Sequence, residues 1–466
     1  MSDSVRVVEN VRVKMRDGIT LSANLWLPAD AGPEKRVPAI LELIPYRKDD
    51  WRWASDHARM SYFAAHGFAG CRVDVRGTGS SEGVALDEYA RAETLDGVEL
   101  VGWLAEQPWC NGSVGMWGIS YGGFTSIQVA AERPPALKAI APMYATDDRY
   151  TDDVHYFGGC LTASDVAQYA VSQIGMNALP PRPAYSGADW ETTWRQRLER
   201  TPPWLLSWLR QQTDGPYYRQ GSLAPDYSRI VCPIYNIAGW MDGYTNAAWR
   251  MHLRCPVPSR TLIGNWGHLL PDTGNPGPNV DYLDELVRFF GTWLRGDEVG
   301  LSAEPDLIAF IREYAPPEPF PVSWPGRWLG FHRRSLSHAP QRTLWLGNDD
   351  LVDAPPTATT ARSVVHQPTW GAQGPLASGS GAVPNGLWRD LRIDDATALT
   401  YTSAPLLEPL DILGMPEIEL NVARSMPTAH LVARLSALDA NGVACLISWG
   451  ALNLTHRFSA IVGADA

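Results

Sequence analysis

No two of the six cysteines in this 466-residue chain stand in a Cys-x-x-Cys spacing, and no histidines form His-x-His or His-Glu-x-x-His. A zinc centre or a thioredoxin-like redox motif gathers its ligands from one turn or hairpin, so neither is expected. Cys71, Cys110, Cys160, Cys232, Cys255 and Cys445 read instead as free thiols in a reducing cytoplasm. Charge is sparse at 19%, and 51 acidic against 39 basic residues leave a net charge of -12, so a phosphate backbone is not the expected partner. No apolar run reaches the roughly 20 residues that cross a bilayer, and the first ten residues lack the basic and apolar regions of a signal peptide. A soluble cytoplasmic protein without membrane or nucleic-acid partners is the expectation. What the chain does have is 45% hydrophobic residues. At roughly 150 residues per domain, that is material for about three domains with at least one large core.

Residues 5–27 alternate in the strand period and turn at Asp17-Gly18, which predicts an antiparallel start. The run 38–45 is almost continuously apolar, as in a strand buried on both faces of a parallel sheet. Helix near 60–66, strand 68–75, helix 92–106, strand 113–118 and helix 122–132 then alternate, which predicts an α/β body with helices on both faces of a parallel sheet. Residues 146–227 break this rhythm with Trp190, Trp194, Trp204, Trp208, Tyr217 and Tyr218 set among Pro and Arg, and read as a helical insertion. The rhythm resumes with strand 231–239, a helix over 246–253, strand 260–264 and a helix over 282–294 that closes at Gly296. From 303 onward, Pro, Gly and Thr surround short apolar runs at 343–346, 417–420 and 431–435, a pattern that suggests a separate β-sandwich. The expected division is 1–145 and 228–302 as the two parts of the α/β body, 146–227 as the cap, and 303–466 as the sandwich.

Ser120 lies in Gly118-x-Ser120-x-Gly122 between an expected strand and an expected helix, and that context gives the pentapeptide its meaning. The sharp turn strains the serine backbone, so the residues two before and two after it must be small. It exposes the hydroxyl and points the amide of Tyr121 at the oxygen of a reacting carbonyl. A nucleophilic serine needs a histidine base and a carboxylate, and in such sheets they follow in the order Ser, acid, His, each beyond the carboxyl end of a later strand. Asp242 follows strand 231–239 and His268 follows strand 260–264. An Asp-Gly pair alone is an ordinary turn and a lone histidine is commonly structural, but their joint position at successive strand ends selects them. Other histidines fit less well: His57 and His66 precede the serine, while His155 and His252 fall in the insertion and a helix.

The segment from Asp74 through Arg76, Gly77 and Gly79 to Gly83 invites a dinucleotide reading, yet its third glycine position is Glu82 and no helix opens there. A turn held by Asp74 and Arg76 is the expectation. The pairs Trp190/Trp194 and Trp204/Trp208 each share a helix face, either as the core of the insertion or as an apolar wall over the serine. Asp147, Asp148, Asp152, Asp153, Asp165, Asp189 and Glu191 offer carboxylates that could capture a substrate ammonium, and their placement is open at this stage.

Pro45-Tyr46, the Asp74–Gly77 segment, 103–112, the elbow 118–123, the loop 239–243 and 266–268 together resemble the cocaine-esterase and X-prolyl dipeptidyl-peptidase group of serine hydrolases, which includes α-amino-acid ester hydrolases and glutaryl acylases. The resemblance runs from about residue 11 to 457 and implies an α/β-hydrolase body, a helical cap and a C-terminal jelly roll. By residue match it implies Ser120 as nucleophile, Asp242 as orienting acid, His268 as base, and a Tyr46 hydroxyl beside the Tyr121 amide in the oxyanion hole. It further implies hydrolysis of an ester or amide through an acyl-enzyme, a small-molecule or peptide acyl substrate, and no metal or redox cofactor, with homo-oligomer formation open. X-Pro dipeptidyl-peptidase activity and a non-catalytic ligand-binding protein on a hydrolase scaffold are the alternatives. In that group the jelly roll normally continues well beyond the segment matching 451–457, so an end at Ala466 predicts a sandwich short of several strands.

Overall fold

A computed structural model describes residues 4–318, 321–336, 338–358, 360–372 and 390–455. The chain opens with the hairpin β1 (Val5–Lys14) and β2 (Thr20–Pro28), turned at Asp17-Gly18. Alternation follows through β3 (Val37–Ile44), α1 (Trp53–Ala65), β4 (Ala69–Asp74), α2 (Arg91–Ala105), β5 (Cys110–Ile119), α3 (Tyr121–Ala131) and β6 (Leu137–Met143). β3 and β4 are buried along their whole length, which is why their sequence shows no period of two. β6 lies outside the sequence-based expectation because Pro134-Pro135 ends the preceding helix and only Lys138 breaks its apolar run.

The insertion holds a short hairpin, β7 (Tyr156–Phe157) and β8 (Cys160–Leu161), and the helices α4 (Ala163–Ala178), α5 (Pro183–Ser186), α6 (Trp190–Arg200), α7 (Trp204–Arg210) and α8 (Pro216–Arg219). Trp204 and Trp208 are buried with Val166 and Ala170 of α4, so this pair is the core of the insertion. Trp190 and Trp194 pack on each other at 6.2 Å and stay half-buried. The main chain then supplies β9 (Ile234–Gly239), α9 (Thr245–Arg254), β10 (Ser259–Gly264), α10 (Tyr282–Phe290), β11 (Leu307–Arg312) and β12 (Gly326–Phe331).

Ten strands form one sheet in the order β1-β2-β4-β3-β5-β6-β9-β10-β11-β12, parallel from β4 to β11 and antiparallel at both margins. Leu41 and Met116 pair across β3 and β5, so Leu43 and Trp117 point to opposite faces. Trp117 meets Phe63 of α1 and Tyr282 of α10, whereas Leu43 faces Gly97 of α2 near Val129 of α3. Helices thus cover both faces. The boundary expected at 302/303 needs correction, because β11 and β12 are hydrogen-bonded into this sheet and Leu307, Ala309 and Ile311 are buried against Ala238, Ala248 and Ile263. The short apolar runs there resemble those of a sandwich and carry no mark of the sheet they join.

Beyond them lie a three-stranded sheet of β13 (Trp345–Leu346), β14 (Asp350–Val352) and β15 (Thr402–Ser403), and the hairpin of β16 (His430–Leu438) and β17 (Ala444–Asn453). The strand expected at 417–420 is irregular and exposed; its Glu-Ile-Glu-Leu alternation finds no partner strand among the described residues. The tail after Thr455, on which the expectation of missing strands rests, lies outside the described residues. β17 docks on the tip of the β7–β8 hairpin: Gly158 and Gly159 carbonyls accept bonds from Asn453 N and Nδ2 at 2.8 and 3.0 Å, and Phe157 stacks on Trp449 at 4.6 Å. No helix among the described residues is long and apolar enough to cross a membrane.

Candidate active site

β5 runs straight into α3 with Ser120 as the single residue between them. Its backbone sits at φ 55°, ψ -119°, a conformation that costs energy for a residue with a Cβ and turns the hydroxyl outward. A Cβ on Gly118 would stand 2.5 Å from the main chain of Gly122, so the close approach expected of the elbow is present. Ser120 N donates to Met143 O of β6 and its carbonyl accepts from Phe124 N, both at 2.9 Å. Tyr121 opens α3, so its amide belongs to the first-turn group that finds no acceptor within the helix. The Tyr121 hydroxyl donates to Glu93 at 2.9 Å and accepts from Tyr89 N at 3.1 Å, which anchors that end of α3. Burial pushes the Glu93 carboxyl up to about 8.

Asp242 and His268 come from the carboxyl ends of the adjacent parallel strands β9 and β10. His268 Nδ1 and Asp242 Oδ2 are 2.5 Å apart, with Asp242 7% exposed, and Asp242 Oδ1 accepts from Tyr244 N at 2.8 Å. The rings of Tyr144 and Tyr244 lie 5.4 and 5.7 Å from the imidazole. Tyr144 directly follows the Met143 carbonyl that holds Ser120, and Tyr244 rests edge-on against Phe124 of α3, so the two halves of the site share one aromatic wall.

Tyr46 follows β3 and lies edge-on to Tyr121 at 5.9 Å, with its phenol near the side chains of Ser120 and of Tyr169 in α4. Desolvation of its hydroxyl pushes the phenol well above its ordinary value. The loop that carries it is held by Asp74, whose Oδ1 accepts from Lys48 N at 2.8 Å and whose Oδ2 accepts from Ser80 N at 3.2 Å, while Arg76 pairs with Asp96 and Asp17. The segment from Asp74 to Gly83 is thus the turn expected of it. Ser120, Tyr46 and Tyr121 are brought together, as are Asp242 and His268. None of the hydrogen bonds among the described residues joins Ser120 to His268, a link that commonly tightens only when substrate is bound.

Behind Tyr244 lies a buried charge network absent from the sequence-based expectation. The Tyr244 hydroxyl donates to Asp153 at 3.4 Å; Asp153 and Glu88 flank the two nitrogens of His155 at 2.9 and 3.0 Å; Arg149 reaches Glu88 at 2.9 Å. Burial alone would lower the His155 imidazole, but the two carboxylates outweigh it and lift it to about 9. Glu88, Asp153 and His155 are close enough together to hold a cation. A protonated imidazole offers no lone pair, however, and Arg149 already neutralises Glu88, so these residues fit a balanced ionic network better than a metal centre. The remaining carboxylates of the insertion are distributed: Asp147 and Asp152 both pair with Arg250, Asp148 caps Tyr150 N at 2.9 Å, Glu191 pairs with Arg195, Asp165 is buried and Asp189 exposed. Tyr244, two residues after Asp242, carried a positional signal. Glu88 and Arg149 carried none.

A strand-to-helix elbow bearing a serine, set in a mixed ten-stranded sheet with helices on both faces, defines a serine hydrolase of the α/β-hydrolase fold. The X-Pro dipeptidyl-peptidase (S15 family) profile matches residues 17–270, and that of the X-Pro dipeptidyl-peptidase C-terminal non-catalytic domain matches residues 300–460. The chain belongs to this S15 family and hydrolyses ester or amide bonds. It is 28% identical over 517 residues to a Mycobacterium tuberculosis protein whose name describes a serine esterase, covering 96% of this chain and 80% of that one. It is 26% identical over 500 residues to the cocaine esterase of a Rhodococcus species, covering 97% and 83%. A solved α-amino acid ester hydrolase shares the fold with a TM-score of 0.71 at 21% identity, covering 99% of this chain and 84% of that one.

Proposed function

We propose that the chain is a carboxylic ester hydrolase working through an acyl-enzyme on Ser120. The observation that carries this is the Asp242–His268 bond, formed at adjacent strand ends and walled by the same tyrosines that border the Ser120 elbow. The Ser120 hydroxyl attacks the ester carbonyl while His268 Nε2 takes its proton; Asp242, accepting from Nδ1, fixes the tautomer and stabilises the imidazolium. The Tyr46 hydroxyl and the Tyr121 amide hold the oxyanion, and a phenol raised by desolvation stays protonated and able to donate. His268 then protonates the leaving alcohol, and water releases the acid by the same steps reversed.

An ester with an uncharged acyl group is favoured over an aminoacyl or peptidyl one. The relatives named above as esterases support this, and so does the pairing of the buried carboxylates near Tyr244, where Glu88 and Asp153 are already balanced by Arg149 and His155. Six free cysteines, five of them buried, support a reducing cytoplasmic setting, and the small C-terminal sheets are read as part of a jelly roll bracing the cap. The test is one panel of aryl esters, α-amino-acid esters, X-Pro anilides and glutaryl amides, run on the parent and on Ser120→Ala. Aryl esters should be the best substrates, and Ser120→Ala should lose turnover by on the order of 10⁴-fold or more. A fluorophosphonate probe should label Ser120 alone; labelling elsewhere, or a preference for X-Pro anilides, overturns the respective half of the proposal.

A further inference from the structure

Where α2, α3 and the chain leaving the cap meet, a cavity of about 70 Å³ lies between them, bordered by Thr94 of α2, Gln128 of α3, and Arg219 and Arg229 of the cap exit, with Arg91 and Glu132 at its rim. Gln128 and Thr94 are each 4% exposed. Neither polar atom of the Gln128 amide, nor the Thr94 hydroxyl, has a hydrogen-bond partner among the described residues. A Cβ on Gly221, also in the lining, would fall 2.7 Å from Gln128 Nε2, so the amide is directed at the cap-exit wall. Buried amides and hydroxyls without partners are rare in folded proteins and call for an occupant.

Charge narrows the choice of that occupant. Glu132 is taken by Arg91 through bonds of 2.6 and 2.7 Å, and Arg229 approaches it only to 3.9 Å. Arg219 has its carboxylate, Asp214, at 3.7 Å in a half-exposed pair. Three guanidiniums, Arg91, Arg219 and Arg229, stand against two carboxylates, Glu132 and Asp214, which leaves one positive charge in excess at this cavity in a chain whose net charge is -12. Water would satisfy the hydroxyl and the amide but not the surplus. The volume is enough for a few waters or one small polyatomic ion, and the donor-bearing side chains that border it come from separate elements rather than from one planar fork.

We propose that this cavity is a binding site for a tetrahedral oxyanion of the phosphate or sulfate class, held by Thr94 and Gln128 from the body and by Arg219 and Arg229 from the cap exit. It lies about 12 Å along α3 from Ser120, at 1.5 Å per residue, so it is separate from the hydrolytic site and independent of the ester reading. Titration calorimetry of the full chain with inorganic phosphate should give a saturable one-site heat, and sodium sulfate should give the same. Thr94→Val removes a hydroxyl at constant volume and Arg219→Gln removes a charge; each should weaken binding at least about tenfold, the usual loss for one charge-assisted hydrogen bond. Both variants should hydrolyse ester at the parent rate, which reports that they fold. Arg36→Gln, on an exposed arginine elsewhere, should bind as the parent does. Unchanged binding in Thr94→Val and Arg219→Gln, acetate binding as tightly as phosphate at equal ionic strength, or no saturable heat up to tens of millimolar, the result for a cavity that holds water only, would each overturn the site.

Discussion

The donor role proposed for Tyr46 follows from the same feature that makes it a poor acid. Its hydroxyl is desolvated under α4, so the charged phenolate is disfavoured and the proton stays where a forming oxyanion can use it. Tyr46→Phe keeps the ring against Tyr121 and deletes only that proton. We expect kcat to fall by roughly 10² to 10³ with KM little changed, measured by steady-state kinetics on an aryl ester. A kcat within about threefold of the parent would assign the second donor to a backbone amide of the same loop. His155 gives a second test at this scale. Its folded-state value, about 9, lies above the ordinary 6.5, so its contribution to stability is complete below pH 6.5 and is lost as pH rises towards 9. Tm measured across that window should decline in the parent, and the decline should be shallower in His155→Gln. The placement of Ser120 at the elbow and of Asp242 and His268 at successive strand ends was legible in the sequence because a motif or a strand end marks each one. Glu88, Arg149 and His155 were not, because a buried ionic network is assembled from a loop and an insertion whose spacing in the chain has no period.

The elbow depends on the element before it and the element after it meeting without a side chain between them. Gly118→Ala would put a methyl 2.5 Å from the Gly122 backbone, which cannot swing aside as a side chain can. The strand end and the start of α3 would have to separate, at a cost of about 1–3 kcal/mol for overpacking, and the Tyr121 amide would leave its position. Both Tm and kcat/KM should therefore fall; a variant that lost neither would mean that the elbow has slack. At this scale β3, β4, β5 and α3 could be read from the sequence, since a strand buried on both faces and a helix closed by Pro each leave a compositional mark. β11 and β12 could not be assigned to the right sheet. The continuous apolar run of β11 suits a buried strand of any sheet, and the choice of neighbour is made by burial of Leu307, Ala309 and Ile311 against Ala238, Ala248 and Ile263 far away in the chain.

At the scale of the whole molecule, the C-terminal hairpin closes on the cap through main chain as well as through the Asn453 and Trp449 side chains. A Cβ on Gly158 would lie 1.8 Å from the Ala451 carbonyl oxygen, and Gly158 itself is held at φ 55°. Gly158→Ala should unseat β17, lowering Tm and also kcat, because the hairpin that starts at Tyr156 is continuous with Asp153 and His155 behind Tyr244. Gly175→Ala is the contrasting case: it lies inside α4 with nothing within 4 Å of its added methyl, so it should raise stability by about 0.5–1 kcal/mol through helix propensity alone. Calorimetric Tm and ester turnover on the two variants separate a seam that matters from a glycine that does not.

That seam also sets an order in time. The Asn453–Gly159 bond joins residues 294 apart, whereas Ser120, Asp242 and His268 have all been synthesised once the chain reaches His268. On the ribosome, at about 5–20 residues per second, the interval between the last residue of the hydrolytic set and the strand that clamps the cap hairpin is on the order of ten seconds or more. During that interval the nascent chain carries a complete set of reacting groups with the hairpin behind Tyr244 unclamped. On the proposed assignment of the site, full hydrolytic competence is expected late in the birth of the molecule, once β17 emerges and docks.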